Sequence, residues 1–133
     1  MPAPSVRDLA SVPLFRALSD EQLGDLTELF DVRDIGPDTR LIGEGTTGLS
    51  FFVLTDGEVA VTTSDGNTTT LGPGEFFGEV ALLTQGRRTA SVTTASRVRV
   101  LVVVGDDFRR LTETYPELGA EIEATGLARL HAR

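Results

Sequence analysis

The chain has 133 residues and a formal net charge of −8 at neutral pH, which fits one acidic domain spanning residues 1–133 with a real hydrophobic core. Nucleic-acid backbones are bound by clustered positive charge, so this acidic balance argues against direct nucleic-acid binding. The absence of cysteine excludes disulfides and thiolate chemistry, and it is compatible with the cytoplasmic location that we predict.

Membrane and metal functions are also poorly supported. The longest aliphatic run, residues 100–104, is far too short to span a bilayer, and the N-terminus lacks the pattern of a signal peptide. The only histidine, His131, lies near the end of the chain, so a histidine cluster on a β-barrel cannot form. We therefore expect no membrane segment and no metal.

The N-terminal segment, residues 1–31, is predicted to be helical. Helical signals cover residues 6–12 and 19–30, and Ser19 is a good N-cap for the second of these helices. The sequence Val12-Pro13-Leu14-Phe15 interrupts them, and we expect this link to pack against an apolar surface.

Residues 32–104 have the pattern of a β-barrel or β-sandwich. Turn signals such as Asp56-Gly57 and Asp65-Gly66 recur roughly every eight to ten residues. No helix of crossover length separates the candidate strands, so antiparallel pairing is predicted. These strands cover residues 32–35, 40–42, 50–55, 58–64, 68–71, 89–94 and 97–104.

Residues 105–133 return to helix. Asp106 or Asp107 can cap a helix over residues 108–114, and Tyr115-Pro116 separates it from a second helix that ends near residue 130. Glycines in the second helix weaken it by about 1 kcal/mol each relative to alanine. Such a helix suits a ligand-responsive lid, and it is equally typical of an ordinary frayed terminus.

One stretch, residues 72–92, has the composition of a ligand site and reads GPGEFFGEVALLTQGRRTASV. Glycine turns lead into a short helical run, whose first N–H groups can hold an anion. Arg87 or Arg88, just behind, can grip two phosphate oxygens at once. Glu79 would be repelled by a phosphate unless a donor such as a sugar hydroxyl satisfies it. The combination suits a ribose phosphate.

The same residues resemble a known family. Phe77-Gly78-Glu79-Val80-Ala81-Leu82-Leu83, followed by Arg88-Thr89-Ala90-Ser91-Val92, is similar to the phosphate-binding cassette of cyclic nucleotide-binding domains. Weaker matches extend over nearly the whole chain, including Tyr115-Pro116. The resemblance implies a mainly β fold, an eight-stranded antiparallel β-barrel or jelly roll. N-terminal helices would flank it, and two C-terminal helices would rearrange on binding cyclic AMP or cyclic GMP.

The resemblance also assigns roles, within a cassette at residues 77–92. Glu79 would accept the ribose 2′-hydroxyl and Arg88 would hold the cyclic phosphate, which leaves Arg87 as its solvated neighbour. In this family, a threonine directly after the phosphate-binding arginine often accompanies binding of cyclic GMP, while cyclic AMP can still bind. Thr89 holds that position, so it does not decide between guanine and adenine. Cyclic AMP is favoured if the source is bacterial. The other expected binding residues are Phe77, Gly78, Val80, Ala81 and Ala90, and Leu127, Arg129 or Leu130 would cover the base.

We therefore expect a regulatory cyclic nucleotide-binding domain without catalysis, because the chain offers no nucleophile with a placed base. Its C-terminal helices could contact an effector domain or a partner protein. One alternative is a degenerate domain of the same fold that acts only in protein–protein interaction. Another is an enzyme or jelly roll that takes a different anion. The chain is either a free-standing sensor or a fragment of a longer regulator or channel.

Overall fold

The N-terminal helices begin where the sequence supplies caps. The computed structural model of the protein describes residues 3–43, 50–63, 65–79 and 90–131. In it, helix α1 (Val6–Ala10) starts after Ser5, and helix α2 (Asp20–Thr27) starts after Ser19. The Ser19 hydroxyl accepts from the Gln22 N–H, and the Gln22 side chain accepts from the Ser19 N–H, which forms a capping box. Both predicted helices are confirmed, with shorter C-terminal ends.

The link between α1 and α2 packs as expected. Pro13–Phe15 forms a 3-10 helix, and the Phe15 ring meets the Phe30 ring edge-on, with centroids 6.0 Å apart. Both rings are fully buried in a core that the N-terminal helices share with one sheet. The N-terminal segment therefore covers one face of the β domain.

The described ranges form two four-stranded sheets in which every pairing is antiparallel, as predicted. Their orders, β1-β8-β3-β6 and β2-β7-β4-β5, complete the jelly roll that the resemblance implies. The strands are β1 (Asp31–Ile35), β2 (Arg40–Ile42), β3 (Phe51–Asp56), β4 (Val59–Thr63), β5 (Thr68–Leu71), β6 (Phe76–Phe77), β7 (Ala90–Thr94) and β8 (Val98–Val103).

Strand β6 is the one that the residue pattern missed. The glycine signals predicted a turn through Phe77, but Phe76 and Phe77 pair with Val53 and Phe52 of β3. A two-residue strand between glycine-rich turns is too short to show an alternating pattern. Its place in the sheet comes from its long-range partner β3.

Strand β3 separates two hydrophobic cores, because successive side chains of a strand point to opposite faces. Phe51 and Val53 face the core shared with the helices, whereas Phe52 and Leu54 face the core between the two sheets. All four side chains are buried. The two residues of β6 divide in the same way, which decides what lies near the candidate site.

The C-terminal helices follow β8 without a loop. Helix α3 (Gly105–Thr114) begins after Val104, so the prediction that Asp106 or Asp107 caps it is wrong. Gly105 has a φ of 53°, a left-handed conformation that glycine adopts readily, and the chain turns there. Both aspartates lie instead in the first turn, where they stabilise the positive end of the helix.

Helix α4 (Pro116–His131) crosses α3 at close range. A Cβ built on Gly119 would lie 3.2 Å from Thr112 Cβ and 3.3 Å from the Thr112 carbonyl oxygen. Gly119, which the sequence marks as a weak point of the helix, therefore permits this contact. No helix within the described ranges is long and apolar enough to cross a bilayer.

Tyr115 joins α3 to α4, and its surroundings raise the pKa of its phenol. The Tyr115 side chain packs against the core shared with the helices, and the Tyr115 backbone N–H donates to the Leu111 carbonyl. Burial raises the pKa of Tyr115 above its usual value of 10.0, and the nearby Asp25 carboxylate raises it further. The folded chain thus holds this proton more tightly than the unfolded chain does.

We predict that the free energy of unfolding falls as the pH rises above about 10, and that Tyr115→Phe reduces this fall. Below that pH the phenol is protonated in both states, so its contribution is complete. The chain has no lysine, no cysteine and one tyrosine, so its other side chains contribute little in that window. Urea unfolding between pH 8.5 and 11 measures the slope. Equal slopes for wild type and variant would contradict the prediction.

Candidate functional site

Strand β6 leads directly into the predicted cassette. Gly78 follows Phe77 and has a φ of 98°, a conformation that residues with a Cβ adopt only under strain. This turn brings the next residue, Glu79, under the C-terminal end of α4. The glycine that precedes Glu79 is thus required by the backbone path.

Glu79 is a buried carboxylate. Its side chain is only 2% exposed, and its Oε1 accepts from Nη1 of Arg129 in α4, which is 22% exposed. A charge that has left water is tolerated only when it is paired and hydrogen-bonded. The ion pair therefore holds the C-terminal end of α4 against the start of the cassette.

The Arg129 guanidinium makes a second contact, with an aromatic ring. Its Cζ lies 5.3 Å from the centroid of Phe76, within the range of a cation–π interaction. Phe76 faces the core shared with the helices, one residue before Phe77 turns to the other core. Arg129 thus contacts a carboxylate and a ring that lie three residues apart.

The structure describes four of the predicted binding residues, namely Phe77, Gly78, Glu79 and Ala90. Phe77 and Ala90 are buried between the sheets, where the Phe77 ring stacks on Phe52 at 4.8 Å, so both side chains pack in the core. Glu79 alone among the four has a polar side chain. The other predicted binding residues lie outside the described residues, as does Arg87. They are Val80, Ala81, Arg88 and Thr89.

Of the three C-terminal residues expected near the base, Arg129 contacts Glu79. Leu127 is 41% exposed, and the side chain of Leu130 lies outside what the structure describes. Leu118, Ile122 and Arg129 are spaced by four and seven residues, so Arg129 extends the buried stripe of α4. The sequence analysis expected Arg129 only near the base, and its helical spacing from Leu118 and Ile122 is the signal that could have predicted a buried contact.

The described part of the chain holds no group of three or more histidine, aspartate or glutamate side chains placed to bind a metal ion. The acidic side chain at the cassette is instead engaged with Arg129. A ligand that donates a hydrogen bond to Glu79 would therefore meet a carboxylate that Arg129 of α4 already contacts.

In the described residues, the jelly roll places the C-terminal end of α4 on Glu79, two residues after β6 ends. The family model described as "Cyclic nucleotide-binding domain" matches residues 32–115. The chain therefore belongs to the cyclic nucleotide-binding domain family, and this domain is a regulatory one and not a catalytic one.

Three relatives illustrate the match. The chain is 34% identical over 122 residues to the human potassium/sodium hyperpolarization-activated cyclic nucleotide-gated channel 4, a match that covers 92% of the chain and 10% of the channel. It is 38% identical to cGMP-dependent protein kinase, isozyme 1, of Drosophila melanogaster, covering 86% of the chain and 16% of the kinase. A cyclic nucleotide-binding protein structure from Geobacter metallireducens matches with a TM-score of 0.77 and 25% identity, over 98% of both chains.

The buried pair leads to a stability prediction. Arg129→Gln removes the positive charge that Glu79 faces, and we expect the free energy of unfolding to fall by roughly 1 to 3 kcal/mol. The matched control is Arg110→Gln in α3, because Arg110 is 67% exposed and lies 3.7 Å from Asp107. An exposed pair contributes about 0 to 1 kcal/mol. Denaturant unfolding compares them, and equal losses would contradict the importance of the Glu79–Arg129 pair.

Proposed function

We propose that this domain binds cyclic AMP, and that the ligand rearranges the C-terminal helices. The observation that carries the proposal is the buried Glu79 carboxylate beneath Arg129, at the start of a cassette in a cyclic nucleotide-binding domain. Cyclic GMP is the alternative ligand, because a threonine at position 89 is compatible with both bases. Position 89 therefore does not decide the base, and separate titrations with the two nucleotides do.

In the proposed complex Arg88 binds the cyclic phosphate and Glu79 accepts the ribose 2′-hydroxyl. A planar guanidinium matches two phosphate oxygens, and a carboxylate accepts readily from a hydroxyl. The backbone around Gly78, Val80 and Ala81 would line the phosphate, and Thr89 and Ala90 would lie beside the sugar and base. Phe77 contributes by anchoring this segment in the core between the sheets.

Ligand binding and the position of α4 are linked through Glu79. The carboxylate is 2% exposed, and Arg129 contacts it, so an incoming hydroxyl must share or displace this contact. A ligand shifts a conformational equilibrium only by the difference in its interactions with the two states. Here the difference is the partner of Glu79. We propose that α4 shifts when the nucleotide binds and that Leu127, now half exposed, covers the base.

The output of this rearrangement would pass to an effector. We propose that residues 1–31 and 105–133 flank a β domain of residues 32–104, and that the C-terminal helices contact an effector domain or partner protein in the cytoplasm. The chain spans about a tenth of the length of the human channel and 16% of the length of the fly kinase that it matches. In those relatives the matching segment is thus one part of a much larger protein.

The proposal predicts a defined pattern in calorimetry. Titrated into the wild-type chain, cyclic AMP should bind, and Arg88→Ala should weaken binding by roughly 3 to 5 kcal/mol, because a buried phosphate loses its charge partner. Glu79→Ala should cost roughly 1.5 to 3 kcal/mol. A 2′-deoxy cyclic nucleotide should bind wild type and Glu79→Ala equally well, since neither complex then contains the hydroxyl contact.

Separate titrations with cyclic GMP and ribose 5-phosphate complete this test. Tighter binding of cyclic GMP would reverse the choice of base, and equal binding of ribose 5-phosphate would favour a site for other sugar phosphates. Unchanged affinity of Arg88→Ala would contradict the site. An absence of binding to every nucleotide would favour the protein–protein alternative.

A further inference from the structure

Phe76 occupies a position that the binding of a nucleotide does not explain. Its ring lies beneath the Arg129 guanidinium on one side, and it meets Phe51 of β3 at a centroid distance of 5.4 Å and an angle of 44°. Phe51 in turn stacks on Phe108 in the first turn of α3, at 4.7 Å and 6°. These four side chains form a continuous column, Arg129–Phe76–Phe51–Phe108, which we name the aromatic column.

The aromatic column connects both C-terminal helices to the sheet. Its two ends, Arg129 and Phe108, belong to α4 and α3, and its two middle rings belong to neighbouring strands β6 and β3. Its three rings are almost completely buried. Because protein interiors are packed as densely as organic crystals, a ring in such a column cannot tilt without moving its neighbours.

One guanidinium, that of Arg129, makes both the contact with Phe76 and the contact with Glu79. The guanidinium is held over the ring while its Nη1 donates to the Glu79 carboxylate. If Arg129 leaves Glu79, Phe76 also loses the cation above its face. A cation–π contact contributes more when it is shielded from water.

We infer that Phe76 is a positioning residue that links the docking of α4 on Glu79 to the position of α3. Release of Arg129 changes the packing of Phe76, Phe51 transmits this change, and Phe108 carries it into the first turn of α3. All of these contacts lie within the chain itself, so the link is testable without a nucleotide. Its regulatory meaning rests on the proposed function, in which a ligand changes the partner of Glu79.

A double-mutant cycle read by hydrogen exchange tests the inference. In the wild-type background, Arg129→Gln should lower the protection of the amides of residues 109–112, which donate to the first-turn carbonyls of α3, by about fivefold relative to the amides of β4. This ratio separates the local effect, on the scale of a cation–π contact, from the general loss of stability that follows when Glu79 loses its partner. In a Phe76→Leu background the same substitution should change that protection less than twofold. Phe76→Tyr, which keeps the ring, should restore the fivefold effect.

Phe52→Leu is the matched control. Phe52 follows Phe51 in β3, is as buried as Phe76 and stacks on Phe77, but it faces the core between the sheets. A core residue with only a structural role would lower stability without removing the effect of Arg129→Gln on α3. The fivefold effect should therefore persist in the Phe52→Leu background.

Phe108→Leu provides a second break in the column if Phe76→Leu fails to fold, and it should also remove the effect. The inference is overturned if Arg129→Gln leaves α3 protection unchanged in the wild-type chain. It is also overturned if the effect is equally large in Phe76→Leu or Phe108→Leu. Because no nucleotide is added, a failure to bind cyclic AMP in calorimetry leaves these outcomes readable.

Discussion

A buried carboxylate needs a partner, and this requirement organises the region around Glu79. The side chain lies beneath α4 in a part of the fold where water has little access, so Arg129 stabilises its charge. The partner belongs to the C-terminal helix, fifty residues later in the chain. The charge of Glu79 therefore helps to fix the position of the C-terminal end of α4. Any ligand that contacts Glu79 acts on the same helix.

Local features of the backbone bring Glu79 and Arg129 together. Gly78 adopts a φ of 98° that directs Glu79 away from strand β6, and Gly119 lets α4 approach α3 closely. The first half of α4 is held by Leu118 and Ile122, which are buried in the core shared with the helices. The second half of α4 depends more on the ion pair with Glu79. Apolar burial thus holds the first half of the helix, and a charged contact holds the second.

Much of the fold follows from local signals, while the pairing at the site does not. The Ser19 capping box, the turn glycines and the β-branched strands depend on neighbouring residues, and they predicted the helices and seven of the eight described strands. Strand β6 and the Glu79–Arg129 pair depend on partners distant in sequence. The packing of α4 against α3 decides which carboxylate Arg129 meets, and no periodicity in the sequence reports that packing. Arg88 and Thr89 lie outside the described residues, so their roles stay predictions.

The central claim is that the nucleotide and Arg129 meet at Glu79, so that binding moves the end of α4. The chain has no cysteine, so spin labels attach only where a cysteine is introduced. Suitable sites are the exposed residues Ala128 in α4 and Thr70 in β5, through Ala128→Cys and Thr70→Cys. Pulsed electron resonance then measures the distance between them with and without saturating cyclic AMP. The account predicts a shifted distance distribution with the ligand, and no shift when the barrel alone is labelled through Thr70→Cys and Arg33→Cys. An identical distribution for the α4 pair at full occupancy would contradict it.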